Sequence, residues 1–346
     1  MRIAQPVQRL TPYVPGEQPK ESSVVKLNTN ENPYLPSPKC ADVLKGFDLH
    51  RLRRYPDPVF AALRARIAAI WKTVPERVFV GNGSDEILTL AAKAFVDDGE
   101  TIGSLDPSYS LYKTLAAIRD VPFVPTPLDA DYTWNGKIKG RPALFLLTNP
   151  NAPTGVLTPP EAIAAAASRF KGVLLVDEAY ADFACANCMS LATAPRNRNV
   201  IVMRTFSKSY SLAGLRVGYC IGPRDLIEAL YKIKDSYNVD AVAQSVALAA
   251  FNDRVYHGKT VAKVVKTRRA FSAALEKLGW DVIPSEANFV FAKPPAPQKA
   301  KDIFARLKEK SIFVRYFPGP LTGDRLRITI GTDAEMAVFL TALKGI

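Results

Sequence analysis

Seven short runs in the first two thirds of the chain are apolar at nearly every position: "RVFVG" (77–81), "TIGSL" (101–105), "PFVP" (122–125), "ALFLLT" (143–148), "VLLVD" (173–177), "NVIVMR" (199–204) and "VGYCI" (217–221). Strands that bury only one face alternate apolar and polar residues. Runs without alternation predict strands covered on both faces, as in a mostly parallel sheet. Helical patterns lie between some of them, such as "SDEILTLAAKAF" (84–95) and "PPEAIAAAASRF" (159–170). Strand and helix in alternation predict an α/β layer with a mostly parallel seven-stranded sheet.

After residue 222 the pattern changes. A long helical region covers about 224–279, and strands return at "NFVFA" (288–292), "SIFVR" (311–315) and "LRITI" (326–330), with the helix "KDIFARLKEK" among them. This predicts a smaller α+β unit. The Pro-rich start reads as an extended arm, so the expected division is an arm over 1–38, a large domain over 39–240 and a small C-terminal domain over 241–346. "KPPAPQKAK" (293–301) reads as a loop, and there is no internal repeat.

Composition changes this picture little. The chain has 346 residues, 48% hydrophobic and 23% charged, which is ordinary for a globular protein with two cores. The N-terminus lacks the apolar stretch of a signal peptide, and no run is long enough to span a membrane. Four cysteines in this length fit a reducing, cytoplasmic setting. Cys185 and Cys188 form one C-x-x-C with no second pair and no histidine near, and read as half-buried structural thiols. The net charge of +13 is dispersed: "RLRRY" (51–55) is brief and "KVVKTRR" (263–269) reads as one polar helix face. Without a zinc-finger spacing or an RNA-binding aromatic motif, no nucleic-acid partner is expected. A positive field also steers small anions such as phosphate esters.

Candidate chemistry gathers at strand ends, where open α/β sheets bind ligands. "VFVGNGSDEIL" (78–88) is strand, Gly-rich turn and helix, with Ser84 as expected N-cap and a helix N-terminus suited to an anion. Many strand–helix turns share this form. In "PSYSLY" (107–112), Tyr109 is a core residue or a stacking platform. "TNPNAPTG" (148–155) is a polar loop whose two prolines permit cis bonds. Asp177 ends an all-apolar strand in "LLVDEAY", so its carboxylate needs a partner or a task. "RTFSKSYSLAGLRVGY" (204–219) sets Lys208 among hydroxyls and Arg216 eight residues on. That is a solvated loop with two ordinary cations, or a reactive amine beside an anion site. The two histidines, His50 and His257, lie in unrelated settings, so neither a histidine triad nor a metal site is expected. Proton transfer then falls to lysine, carboxylate or tyrosine, which favours Lys208.

The order Gly-rich turn, Tyr, Asn-Pro loop, Asp, Lys, Arg resembles fold-type I pyridoxal-phosphate-dependent aminotransferases, and the resemblance spans essentially the whole chain. S-K-x-x-x-L-A-G-L-R with V-D-E-A-Y is highly specific. "LTPYVPGEQP", "LNTNENPYLPSP", "RRYPDP" and "VRYF…LRITIGT" are similar to the arm and C-terminal motifs of the histidinol-phosphate aminotransferase family. The resemblance implies pyridoxal 5′-phosphate as cofactor, joined through its aldehyde to Lys208, which also shuttles the proton at the substrate α carbon. It implies that Asp177 pairs with the ring nitrogen, Tyr180 with the ring hydroxyl, and that Tyr109 stacks on the ring. The N–H groups of Ser84 and Asp85, with Ser207 and Arg216, would bind the phosphate. Tyr55 would reach the cofactor of a second subunit, implying a homodimer with shared sites. Arg327, assisted by Arg315, would take the carboxylate of glutamate or the phosphate of histidinol phosphate. Tyr13 and Asn30 on the arm would close over the substrate. The same resemblance admits an aromatic amino acid aminotransferase or a threonine-phosphate decarboxylase of the cobalamin pathway. A regulator with an aminotransferase-like domain would need a DNA-binding domain before residue 27, where there is no room.

Two positions depart from the family pattern. The family loop reads N-P-N-N-P-T-G, whose second Asn in the pair donates to the ring hydroxyl; here that position is Ala152, and Asn151 is expected to take the role. The arm carries Leu35 where the family has Gly.

Overall fold

The structure is a computed structural model and describes residues 2–3, 5–10, 16–19 and 24–346. Tyr13 lies outside these. The arm contributes helix α1 (Gln5–Arg9) and strand β1 (Val25–Lys26), so it is less uniformly extended than its prolines predict. Next come α2 (Pro38–Lys45), α3 (Ala61–Ile70), β2 (Val78–Gly81), α4 (Gly83–Ala94), β3 (Ile102–Asp106), α5 (Leu111–Ile118), β4 (Phe123–Pro127), β5 (Leu144–Thr148), α6 (Pro160–Arg169) and β6 (Val173–Asp177). They are followed by α7 (Met189–Thr193), β7 (Val200–Thr205), β8 (Gly218–Ile221), α8 (Arg224–Ile233), α9 (Ala241–Asn252) and α10 (Arg254–Lys277). The chain ends with β9 (Asp281–Ile283), β10 (Phe289–Lys293), α11 (Ala300–Glu309), β11 (Ile312–Phe313), β12 (Arg315–Tyr316), β13 (Leu326–Thr329) and α12 (Asp333–Leu343).

The large sheet has seven strands in the order β2-β8-β7-β6-β5-β3-β4. Only β8 runs antiparallel to its neighbours. Each predicted apolar run supplies one of these strands. Successive side chains of a strand point to opposite faces, and both faces are covered here. Val78, Val80, Phe145, Leu147, Leu174, Val176, Val200 and Val202 pack toward α3, α6 and α9. Phe79, Leu144, Leu146, Leu175, Ile201 and Met203 pack toward α4, α5 and α8. A second sheet, β12-β13-β10-β9, is antiparallel. It buries Val290, Ala292, Leu326 and Ile328 against α10, α11 and α12, and Leu27 of the arm joins that core. α9 gives Ala243, Val246, Ala247, Ala250 and Phe251 to the large-sheet core, whereas α10 from Val264 onward packs in the small one.

The run "SIFVR", read as one strand, is two. Ile312 and Phe313 pair in parallel with Val25 and Lys26 of the arm, and Arg315 and Tyr316 pair with β13. Val314 is where the chain changes partner. Among the described residues no helix is long and apolar enough to cross a membrane.

Candidate active site

At the C-terminal ends of the parallel strands lies a cavity of about 350 Å³. Thr148, Asp177 and Thr205, the last residues of β5, β6 and β7, form part of its wall. Around them it gathers Asn30, Ser84, Asp85, Tyr109, Tyr180, Ser207, Lys208, Arg216, Arg315 and Arg327. Residues from the arm, both sheets and the loops between them thus meet in one chamber.

Asp177 is buried, and its partners are specific: Tyr112 donates to Oδ2 at 2.8 Å and the Ala179 N–H to Oδ1 at 3.1 Å. Tyr112 also shares a hydrogen bond with Thr148 Oγ1 at 2.6 Å. Burial raises the Asp177 carboxyl to about 6, against the pull of the Tyr112 hydrogen bond. Lys208 Nζ donates to the Thr29 carbonyl at 2.9 Å. Burial, and then the nearby Arg327 charge, lower its amine to about 8. A desolvated lysine with a neighbouring cation is a standard way to make a nucleophilic amine near neutral pH. Tyr180 accepts a hydrogen bond from Asn30 Nδ2 at 3.0 Å, and its ring centre is 5.9 Å from Lys208 Nζ. Tyr109 meets the edge of Tyr112 at 5.5 Å.

The anion cradle forms where α4 begins. The cap position is Asn82 and the helix starts at Gly83, so Ser84 sits in the first turn instead of capping it. Gly83 has φ +79°, and a Cβ there would lie 2.7 Å from Arg216 Nη2. A Cβ on Gly218 would lie 2.7 Å from the Ser84 nitrogen. Two missing side chains therefore let Arg216 and β8 close on the helix N-terminus, whose free N–H groups favour an anion. Arg216 Nη2 donates to Asp85 Oδ2 at 3.1 Å, and its Nη1 approaches Ser207 Oγ at 3.4 Å.

At the mouth, Arg315 of β12 stands opposite Arg327 of β13 in the antiparallel register. Like charges facing across two strands destabilise a sheet; an anion between them would reverse that. Arg327 Nη2 donates to the Asn28 carbonyl at 2.9 Å, and the guanidinium lies over Phe289 and Phe317, 5.3 and 5.2 Å from the ring centres.

Two sequence candidates lie elsewhere. Asn151 does not line the cavity. Its amide donates to the Pro107 carbonyl at 3.0 Å and to Thr154 Oγ1 at 3.2 Å, while its oxygen accepts from Ser108 at 3.0 Å. With both donors engaged it cannot replace the missing amide; Ala152 lines the cavity instead. The peptides Asn149–Pro150 and Ala152–Pro153 are both cis. Tyr55 is 79% exposed and stacks on Tyr237 with ring centres 4.2 Å apart, outside this cavity. Of the C-x-x-C pair, Cys185 is exposed and Cys188 is buried with its sulfur near Asn149 Nδ2. Among the described residues no cluster of three or more His, Cys, Asp or Glu could hold a metal. The sequence reading missed Tyr112, Thr148, Thr205, Glu31 and Phe317. Tyr112 follows Tyr109 by three residues, and the turn that opens α5, closed by the Tyr112 N–H donating to the Tyr109 carbonyl at 3.1 Å, brings the two rings together.

The model of aminotransferase classes I and II matches residues 22–343. A histidinol-phosphate aminotransferase of Syntrophotalea carbinolica is 46% identical over 96% of each chain. One from Acetobacter pasteurianus is 43% identical over 98% of this chain and 96% of its own. The solved structure of histidinol-phosphate aminotransferase from Sinorhizobium meliloti in complex with pyridoxal-5′-phosphate superposes with a TM-score of 0.89 at 25% identity, covering 99% of this chain and 96% of that one. Aspartate aminotransferase from Thermus thermophilus with maleate shares the fold, with a TM-score of 0.82 at 19% identity. Match length, identity and a common fold agree with the chamber's chemistry: the chain belongs to the class I and II aminotransferase family, among the histidinol-phosphate aminotransferases.

Proposed function

We infer that this chain is a pyridoxal-5′-phosphate-dependent histidinol-phosphate aminotransferase, exchanging an amino group between histidinol phosphate and 2-oxoglutarate in histidine biosynthesis, as a cytoplasmic homodimer. One observation carries the reading: a lowered lysine amine, a buried carboxylate and a helix-terminus anion cradle converge on one cavity whose mouth holds two facing arginines. The residues fit the cofactor, since the bare α carbon of Gly83 lets the Arg216 guanidinium close on the α4 N-terminus, where a phosphate would meet both. Ser84, Asp85, Ser207 and Arg216 would hold that phosphate, Tyr109 the ring face, Asp177 the ring nitrogen, Tyr180 the ring hydroxyl and Lys208 the aldehyde. When bound, the cofactor supplies an aldehyde for amine condensation and a cationic ring that withdraws electrons from the substrate α carbon.

The protein's own groups do the rest. Lys208, with its amine lowered to about 8, takes and returns a proton at the substrate α carbon. Asp177 keeps a negative charge in a dry place where only a cationic partner makes that favourable. Arg327, assisted by Arg315, would take the carboxylate of glutamate or the phosphate of histidinol phosphate through charged hydrogen bonds. The exposed Tyr55–Tyr237 pair supports a second subunit across that surface. The decisive experiment is a half-reaction screen by cofactor absorbance against histidinol phosphate, phenylalanine, tyrosine and threonine phosphate. Fastest turnover of an aromatic amino acid, or loss of carbon dioxide from threonine phosphate, would replace the reading.

Arg327→Gln is expected to raise KM for glutamate and histidinol phosphate about tenfold to a hundredfold, the worth of one charged hydrogen-bonded pair. The same change removes a cation that lowers Lys208, so the pH midpoint for modification of that amine in the cofactor-free protein moves upward from about 8. A loss for glutamate alone would assign the phosphate to Arg315.

Position 152 gives a second expectation. Ala152→Asn introduces a donor beside Tyr180, which favours the ionised ring hydroxyl. The pH midpoint of the bound cofactor's visible absorbance should fall by about one unit, as a single hydrogen bond allows. Asn151→Ala should leave it in place, because that amide is engaged with Pro107 and Thr154. A shift in Asn151→Ala would show that the loop rearranges on loading.

A further inference from the structure

Behind the cavity lies a buried ionic cluster that the reaction does not use. Arg204 of β7 is 5% exposed, and its Nε and Nη2 both donate to Glu178 Oε2, at 3.0 and 2.8 Å. Its Nη1 donates to Asp182 Oδ1 at 2.5 Å, and its guanidinium lies 4.8 Å from the centre of the Trp71 ring. Asp182 Oδ2 accepts from Ser209 Oγ at 2.5 Å. His257 Nε2 of α10 stands 3.5 Å from the same oxygen, its ring stacked on Tyr210 at 4.1 Å. Neither Arg204, Glu178, Asp182 nor Ser209 lines the cavity.

One buried and one largely buried carboxylate around one guanidinium are poor value for stability, since apolar replacements of equal volume often do as well. Their places in the chain suggest another use. Glu178 follows Asp177, Asp182 stands two residues after Tyr180, and Ser209 follows Lys208. One guanidinium therefore grips, from behind, the segment that carries Asp177 and Tyr180, and through Asp182 it reaches Ser209 beside Lys208. We propose that Asp182 is a positioning residue for Lys208: held by Arg204, it fixes Ser209 and so sets the direction in which the lysine enters the cavity. This rests on the reading of Lys208 as the reactive amine. Burial alone would raise the Asp182 carboxyl, but Arg204 and His257 hold it well below the usual range, so the anchor stays charged at neutral pH. Other ties keep the turn folded without it: Asn32 Nδ2 donates to the Ser209 carbonyl at 3.1 Å, and the Ser211 N–H to the Lys208 carbonyl at 3.2 Å.

The test uses the holoenzyme with Ser209→Ala, Ser209→Thr and Asp182→Asn. Ser209→Ala removes the link and leaves the ion pairs, so it carries the test even where Asp182→Asn does not fold. The readouts are the visible circular dichroism of the bound cofactor, the pH midpoint of its absorbance, and kcat and KM for glutamate. In Ser209→Ala we expect kcat to fall about tenfold to a hundredfold, the cost of misplacing a reacting group by a fraction of an ångström to an ångström. KM should stay within about twofold, the dichroic band should weaken and the midpoint should move; Ser209→Thr should restore all three. A lower melting temperature with unchanged dichroism, midpoint and kcat would overturn the proposal, because a purely structural tie predicts that pattern. Lys208→Ala is the control: if it keeps the wild-type visible band and titration, the assignment of Lys208 fails instead.

Discussion

Lys208→Ala is expected to abolish transamination while the chain still folds. The proton transfer proposed for Lys208 is worth about 10²–10⁴ in rate by itself, and the proposed covalent hold on the aldehyde would be lost as well. Folding should survive because the amine's one described hydrogen bond goes to the Thr29 carbonyl. Burial and the Arg327 charge also make a charged amine unfavourable there. Steady-state turnover with histidinol phosphate and 2-oxoglutarate, beside a thermal melt, checks both halves. Turnover near the parent rate would remove Lys208 from the chemistry.

Asp177→Asn should cripple the chemical step yet stabilise the empty protein. Without a carboxylate, nothing at the end of β6 keeps a ring nitrogen protonated, so single-turnover rates in the reconstituted variant should fall by orders of magnitude. The stability effect follows from the carboxyl's rise to about 6, caused chiefly by burial. A carboxyl raised on folding stabilises the fold fully below its unfolded value of about 4. That contribution disappears as pH rises through about 6, where the folded protein must ionise a buried acid. At pH 7–8 the cofactor-free variant should therefore be more stable by about 3 kcal/mol. Tyr112 keeps an acceptor throughout, in the amide oxygen or in Thr148. Denaturant titrations at pH 4 and pH 8 should show the difference only at the higher pH. Unchanged single-turnover kinetics would contradict the assignment.

How far the sequence foretold these things depended on how local each was. The strands of the large sheet were legible because burial on both faces leaves uninterrupted apolar runs such as "VLLVD" and "ALFLLT". β1 was not, and β11 was legible only as part of one longer strand, because a two-residue strand has no period and its partner lies far along the chain. Asp177, Lys208 and Arg216 stood out as charges at the ends of apolar runs. Asn151 was misjudged because adjacency in sequence does not fix direction, and its amide turns to Pro107. The Arg204 cluster was hidden for the opposite reason: the fold, not spacing, brings Glu178 and Asp182 to one guanidinium and Ser209 to Asp182.

Lys208 and Arg327 both donate to main-chain carbonyls of the arm, those of Thr29 and Asn28. Arg327, the cation that meets the substrate's anion, therefore receives a visitor while already holding an acceptor, so entry there is an exchange and not a capture. A neutral molecule that displaces a carbonyl trades one ordinary hydrogen bond for another and gains little. A carboxylate or phosphate gains, because a bond between two ionised groups is roughly twice as strong as one to a neutral acceptor. The arm's backbone thus sets a threshold that only anions clear, and discrimination by charge is built into the protein before any substrate arrives.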